Sequence, residues 1–149
     1  MKKWLAISMI ALSTTAWAQA PATQPAAKQT ESQVHVLNRA EFDALLAAPE
    51  KLVVIDVRRP DELTTIGGFP AYLSIQITDL EKYTAFIPKE RSVVTVSNHA
   101  GRAKKAADLL VAKGFKVVGA VGAQNYEEQG GKLTKIAAKP AAPAANSKS

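Results

Sequence analysis

Cysteine is absent from the 149 residues of this chain, and histidine occurs only twice. Without a thiol, the protein can form no disulfide, no persulfide and no thiolate nucleophile. Two histidines that lack a His-x-x-x-His spacing offer little to a metal ion, so we predict no metal site and no cofactor. Chemistry in this chain therefore has to use hydroxyl, amide, carboxylate and cationic groups.

Aromatic residues make up 6% of the chain, and no basic stretch is interleaved with them. Proteins that bind nucleic acids combine positive grooves with aromatic rings on which the bases stack. The positive excess here is mild, with 19 basic against 13 acidic residues and a formal charge of +6. That excess suits an anionic partner, but the pattern predicts that the partner is not a nucleic acid.

Long apolar runs are also missing, since a bilayer span needs about 20 apolar residues. The N-terminal run at 4–12 follows two lysines and leads to a small-x-small pattern that ends at Ala18. This arrangement is typical of a secretory signal peptide. We expect residues 1–18 to be cleaved near Ala18, with Ala20 as the alternative site. The product would be periplasmic or secreted from a bacterium, without a membrane span.

The rest of the chain divides into three parts by composition. Ala, Pro and small polar residues dominate both ends, which predicts a flexible linker at 19–32 and a disordered tail at 136–149. Residues 33–135 alternate short β-rich runs with helical patterns. This alternation predicts one α/β domain of three layers, in which a central parallel sheet of about five strands is flanked by helices.

Several residues mark helix ends within this domain. Asn38 with Glu41, and Thr78 with Glu81, have the spacing of capping boxes at two helix starts. Gly114 stands directly after an apolar helical pattern, where glycine commonly ends a helix. We therefore expect helices to begin just after Asn38 and Thr78, and another to end before Gly114.

Two segments, 56–59 and 97–102, follow predicted buried strands, at the sheet edge where ligands of parallel sheets usually lie. In the second segment a strand runs into a tight loop and then directly into a helix. The first N–H groups and the dipole of such a helix favour an anion. The six residues of this predicted anion-binding loop are Ser97, Asn98, His99, Ala100, Gly101 and Arg102.

Charged residues support this loop in the predicted site. Arg102 adds a fixed cation, with two lysines close behind it. Asp56 and Arg58 follow the other buried strand and are interpreted as an ion pair that fixes the strand end, with direct ligand contact as the alternative. The charged run 58–62 is predicted to be a solvated loop. His35 is expected to face outward from an edge strand.

The order of these motifs resembles the rhodanese superfamily. The matching parts are Asp56-Val57-Arg58, Gly67-Gly68-Phe69-Pro70-Ala71, the loop 97–102, and Phe115–Val118 with Gly122 and 126–130. The resemblance covers nearly all of 33–135 and implies a rhodanese-like fold. In this family the loop opens with a catalytic cysteine and ends five positions later at an arginine, so the resemblance places Ser97 at the cysteine position.

This sequence departs from the family pattern at several positions. A serine hydroxyl forms no persulfide and is not appreciably ionised at neutral pH, so we expect no sulfur transfer and no catalytic residue. Gly67-Gly68 replaces the usual Gly-His, and Ala100 replaces the usual loop glycine.

The motifs and the missing thiol together predict a non-catalytic accessory module that holds a small oxyanion or an acidic group of a protein partner. One alternative is a sulfurtransferase-related or other anion-directed enzyme that uses the loop from Ser97 to Arg102. The other is a purely structural or interacting protein.

Overall fold

The computed structural model describes residues 33–70 and 72–137. The predicted signal peptide, the linker 19–32 and residues 138–149 of the predicted tail lie outside the described residues, as does Ala71. The described elements are α1 Arg39–Leu46, β1 Leu52–Asp56, α2 Pro60–Ile66, β2 Leu73–Ser74, α3 Leu80–Tyr83, β3 Ser92–Ser97, α4 Ala100–Ala112, β4 Val117–Gly122 and α5 Ala123–Glu128. Within these residues no helix is long and apolar enough to cross a membrane.

The central sheet has four parallel strands in the order β2-β1-β3-β4. β1 and β3 are paired in continuous register, from Leu52 opposite Ser92 to Asp56 opposite Val96. Val36 makes an isolated parallel bridge to Ala120 beyond β4, at the place of a fifth strand. The predicted α/β class and parallel sheet are confirmed. The sheet has four strands and this bridge, where about five strands were predicted.

Apolar residues cover both faces of the sheet, because successive side chains of a strand point to opposite sides. Leu52 and Val54 of β1 join a core cluster with Phe42, whereas Val53 and Ile55 join a second cluster with Leu110. All five residues of β1 are buried. This double coverage explains why the strand reads as a continuous apolar run, and it produces the three predicted layers.

The helix ends follow two of the three predictions. Asn38 accepts from the backbone of Glu41, and the Glu41 side chain accepts from the backbone of Asn38, so this capping box is present. Gly114 has a φ of 79° just after α4, as predicted. The prediction at Thr78 was wrong. A turn closed by the Asp79 amide on the Gln76 carbonyl, at 2.9 Å, delays the start of α3 to Leu80.

The turn after α2 depends on glycine. Gly67 has a φ of 104°, and a Cβ there would lie 2.8 Å from the carbonyl oxygen of Thr134. The neighbouring Gly68 exchanges two backbone hydrogen bonds with Thr134, of 2.9 and 2.8 Å. Ile136, which the sequence assigned to the tail, is half-buried beside this turn. A larger residue at position 67 would push the chain at Thr134 away and disturb the turn.

Candidate functional site

The two predicted segments lie side by side. β1 and β3 are neighbouring parallel strands, and their carboxyl ends reach the same edge of the sheet, with Asp56 opposite Val96. The chain leaves β1 through Arg58 towards α2, and it leaves β3 through Ser97 towards α4. The structure therefore brings Asp56 and Arg58 next to the loop 97–102.

Ser97 is the last residue of β3, and it is fully buried. Its hydroxyl donates to the carbonyl oxygen of His99 at 2.5 Å and accepts from the backbone N–H of Ala103 at 3.0 Å. The hydroxyl proton is thus directed to a carbonyl oxygen and not to a base. His99 contributes its backbone to this arrangement, while the residue itself is exposed. The contacts of Ser97 hold the loop against the first turns of α4.

Asp56 and Arg58 form a buried ion pair, as predicted. Nε of Arg58 lies 2.9 Å from Oδ1 of Asp56, and Nη2 lies 2.7 Å from Oδ2. Nη2 also donates to the carbonyl oxygen of Gly67 at 2.9 Å. Both residues have no solvent exposure. The pair therefore fixes the end of β1 to the turn after α2.

Glu62 is the residue of this site that the sequence interpretation missed. Its Oε1 accepts from Nη2 of Arg102 at 2.5 Å and from Nδ2 of Asn98 at 2.6 Å. Its Oε2 accepts from Nη1 of Arg102 at 2.9 Å and from the backbone N–H of Arg59 at 2.9 Å. A carboxylate of α2 thus binds residues near both ends of the loop, and it binds Arg102 in the two-pronged geometry that guanidinium groups favour.

The interpretation of 58–62 as a solvated loop was therefore wrong. Arg58 is buried, α2 begins at Pro60, and the Glu62 side chain is only 12% exposed. Proline at the first helical position, followed by two acidic residues and Leu63, is the signal that could have predicted this helix. Nothing in the sequence pattern points to the partner of Glu62, since Arg102 lies 40 positions away.

The two ion pairs belong to one network. Nη1 of Arg58 reaches Oδ1 of Asn98 at 3.4 Å, while the amide group of Asn98 donates to Glu62. Asn98 therefore links the buried pair to the pair at the surface. Its backbone carbonyl also accepts from the N–H of Gln124, at the start of α5, at 3.0 Å.

Hydrogen bonding within this network favours the charged forms of the groups at its surface. The side-chain hydrogen bond from Arg102, with the backbone N–H of Arg59 and the charges of both arginines, lowers the pKa of Glu62 from 4.5 to about 2 against the opposing effect of burial. The hydrogen bond to Glu62 in turn raises the pKa of Arg102. Both groups are fully charged at neutral pH, and their charges balance each other.

The rest of the predicted loop forms the start of α4. His99 is the N-cap residue without a side-chain cap, and Ala100, Gly101 and Arg102 make the first turn. The first N–H groups of a helix have no acceptor within the helix. Gly101 is exposed, and a Cβ there would meet nothing within 4 Å, so its surroundings do not require glycine. Among residues 33–70 and 72–137, no group of three His, Asp or Glu side chains could hold a metal ion.

Comparison with known proteins gives matches among solved structures alone: no family model and no curated protein matches the chain. A rhodanese-related protein from Thermoplasma volcanium superposes with a TM-score of 0.60 at 23% identity, over 68% of this chain and 99% of its own. A protein of unknown function from Rhodopseudomonas palustris, described as a possible tyrosine phosphatase, gives a TM-score of 0.62 at 22% identity, over 68% and 86%.

A third structure is a rhodanese-like domain protein from Staphylococcus aureus. It superposes with a TM-score of 0.55 at 20% identity, over 62% of this chain and 89% of its own. At such identities the likeness is one of fold. The described part of this chain therefore has the fold of rhodanese-like domains, and Ser97 opens the loop that follows its third strand.

Proposed function

We propose that this protein is a non-catalytic binding module with a rhodanese-like fold, whose loop 97–102 holds a small oxyanion or an acidic group of a protein partner. The observation that carries the first half of this proposal is the state of the Ser97 hydroxyl. It is buried, and it donates to a carbonyl oxygen of its own loop and accepts from the backbone of α4. A serine nucleophile needs an adjacent base to take its proton, and here the hydroxyl donates its hydrogen bond to a carbonyl oxygen, which is not such a base.

The second half rests on the groups at the start of α4. This helix has 13 residues, and the partial positive charge of its first turn favours an anion. Arg102 lies in that turn and its side chain is 35% exposed. A guanidinium group has five N–H donors, and Glu62 engages one hydrogen on each terminal nitrogen. The other edge of Arg102 is the group that we expect to hold the ligand.

Glu62 limits how strongly an anion can bind to Arg102. Its charge cancels that of Arg102, so an incoming anion meets a neutral pair and not a free cation. Part of the Arg102 fork is also occupied. We therefore expect weak binding of free phosphate or sulfate, and tighter binding of an acidic group that is presented by a partner with further contacts. The Rhodopseudomonas palustris protein, described as a possible tyrosine phosphatase, makes phosphate a suitable first probe.

The test for catalysis is a thiosulfate–cyanide assay on wild type, Ser97→Ala and Ser97→Cys. We expect wild type to equal Ser97→Ala, with no turnover in either. Activity gained by Ser97→Cys alone would mean that the loop retains a competent shape and lacks its thiol. Turnover by wild type above Ser97→Ala would overturn the non-catalytic assignment.

The test for binding is a phosphate titration followed by the backbone amide resonances of 97–103. Replacing Arg102 by Ala removes a charge-assisted hydrogen bond and should weaken binding by about 10- to 150-fold, equivalent to roughly 1.5–3 kcal/mol. Lys105→Ala is the matched control, since it removes the same charge from an exposed position of α4. Equal effects of both variants would reduce the site to a general electrostatic attraction.

Export is a separate part of the proposal. The basic, apolar and small-x-small pattern at 1–18 supports cleavage near Ala18 and a periplasmic or secreted product. Mass spectrometry of the mature protein, after cell fractionation, should find a chain that begins at Gln19 or at Pro21. An uncleaved protein in the cytoplasm would contradict this part and leave the binding proposal intact.

A further inference from the structure

A cavity of about 570 Å³ opens beside the edge strand β2, away from the loop 97–102. Its walls include residues that precede β1 and β3, namely Pro49 and Pro88, so it lies towards the amino ends of these strands. The loop 97–102, in contrast, follows the carboxyl end of β3. Small-molecule sites typically have volumes of about 300–1,000 Å³, so this cavity has the size of a ligand site.

The walls of the cavity are mainly apolar. They comprise aliphatic and aromatic side chains and three prolines: Leu46, Pro49, Leu52, Val53, Val54, Pro70, Tyr72, Leu73, Phe86 and Pro88. Proline fixes φ, so three of them in the walls limit the rearrangement that a ligand would require. The cavity is therefore a preformed apolar surface.

Two large apolar side chains at this cavity remain exposed to solvent. Leu73 is 39% exposed, and Phe86 is 75% exposed. Both residues also line an adjoining cavity of about 430 Å³. Covering an exposed phenylalanine ring with an apolar group is favourable, because apolar surface is removed from water. The rim at Phe86 thus offers apolar area to a ligand in addition to the walls.

Arg91 is the single charged residue among those that line the larger cavity. It immediately precedes β3 and is exposed. Within residues 33–70 and 72–137, its guanidinium makes no hydrogen bond or ion pair, unlike those of Arg39, Arg58, Arg59 and Arg102. A lining cation that has no acidic partner among the described residues is complementary to an anionic head group on an apolar body.

We propose that this cavity binds a small amphiphile with an apolar chain or ring system and one anionic head group, such as a medium-chain carboxylate. The apolar body lies against the walls and the Phe86 ring, and the head group pairs with Arg91. This site is independent of the loop at Ser97–Arg102 and of the function proposed for it.

The experiment is a calorimetric titration with octanoate and decanoate below their micelle concentrations. We expect saturable binding of one molecule per chain. Each added methylene should tighten binding by about three- to fourfold, because it buries further apolar surface. Decyltrimethylammonium has a chain of similar length with a cationic head, and we expect it to bind at least about tenfold more weakly than decanoate. Equal affinities for the two head groups would overturn the role of Arg91.

Three variants locate the site. Arg91→Gln and Phe86→Ser should each weaken decanoate binding by about tenfold, through loss of the head-group pair and of the apolar rim. Lys89→Gln removes the same charge two residues from Arg91, but Lys89 lies over the Phe115 ring and does not line the cavity. It should therefore change binding less than twofold. All three replaced residues are exposed, so circular dichroism should show folded variants.

The rival occupant is a second copy of the chain. Sedimentation analysis over a range of concentrations distinguishes the two, because a dimer built on this face would dissociate in Phe86→Ser. A dimer that decanoate neither binds nor dissociates would overturn the proposal, as would the absence of any decanoate binding to a monomer. Equal weakening by Lys89→Gln and Arg91→Gln would show that decanoate is attracted only by the general charge of the surface and does not pair specifically with Arg91.

Discussion

Two arginine–carboxylate pairs lie at the same edge of this sheet, and they differ mainly in their access to water. Asp56 and Arg58 have no exposure, whereas Arg102 is 35% exposed and Glu62 12% exposed. Both pairs have two-pronged geometry, with shortest distances of 2.7 and 2.5 Å. Geometry alone therefore does not separate a structural pair from one that a ligand can approach.

The difference in exposure separates them energetically. Water cannot replace a lost partner of the buried pair, so removing one member leaves an isolated charge in the interior. At the surface pair, water or an anion can replace a partner at much smaller cost. We therefore assign stability of the strand end to Asp56 and Arg58, and we place the proposed ligand contact at Arg102, beside Glu62.

The largest expected effect is on the buried pair. Arg58→Met leaves Asp56 without its cation and frees the carbonyl of Gly67. We expect the free energy of unfolding to fall by about 3–5 kcal/mol, measured by urea denaturation. This is a large part of the roughly 5–15 kcal/mol that holds a typical domain together.

Arg59→Met is the matched control for Arg58→Met. Arg59 is the next residue, and its ion pair with Asp61 is exposed on both sides. We expect this variant to change the free energy of unfolding little. The double variant Asp56→Asn/Arg58→Met should be less destabilised than the sum of its single variants, since neither charge is then left alone. A small loss in Arg58→Met would mean that the buried pair contributes little to stability.

The second effect concerns the dependence of stability on pH. The pKa of Glu62 is about 2 in the folded protein and 4.5 as an isolated group, so the unfolded chain binds a proton more readily. The stabilisation is complete above about pH 5 and is lost as the pH falls towards 2. Because solvent reaches Arg102 and screens the pair, we expect a loss of about 2 kcal/mol over this range.

This loss is measured as the difference in free energy of unfolding between wild type and Glu62→Gln. The difference should shrink as the pH is lowered from 6 to 2.5. Glu81→Gln provides the comparison, because Glu81 pairs with Lys113 at 2.7 Å but is 70% exposed. Its difference from wild type should stay small and should vanish in salt. A pH profile that is the same in Glu62→Gln and in wild type would show that Glu62 is not held in the charged state.

Local patterns were sufficient to predict most of the fold. The apolar runs at β1 and β3, the Asn38–Glu41 capping box and Gly114 each depend on residues close in sequence, and each is confirmed. An edge strand was predicted around His35, but only Val36 forms a bridge. A run that short has little to distinguish it from extended chain, and its pairing depends on Ala120, 84 positions away.

The site was less predictable than the fold. The position of Ser97 at the end of a strand could be predicted. The Asp56–Arg58 pair could also be predicted, since two residues of one turn can reach each other. The partner of Arg102 could not, because Glu62 lies on another helix and reaches Arg102 only through the parallel alignment of β1 and β3. Side-chain pairs between separate crossovers leave no periodic signal in a single sequence.

The smallest effect on free energy gives the sharpest test of the comparison between the pairs. Glu62→Gln removes the negative charge that faces Arg102 while keeping an acceptor oxygen of similar shape. If Glu62 competes with a ligand for Arg102, phosphate should bind about tenfold more tightly to the variant, because repulsion between two close anions near a protein surface amounts to about 1–2 kcal/mol. Amide resonances of 97–103 would report this change in a titration with phosphate. Asp61→Asn is the control, since it removes a neighbouring charge of α2 that pairs with Arg59 and not with Arg102. If Glu62→Gln instead weakens phosphate binding, Glu62 positions Arg102 for the ligand and does not compete with it, and the surface pair is as structural as the buried one.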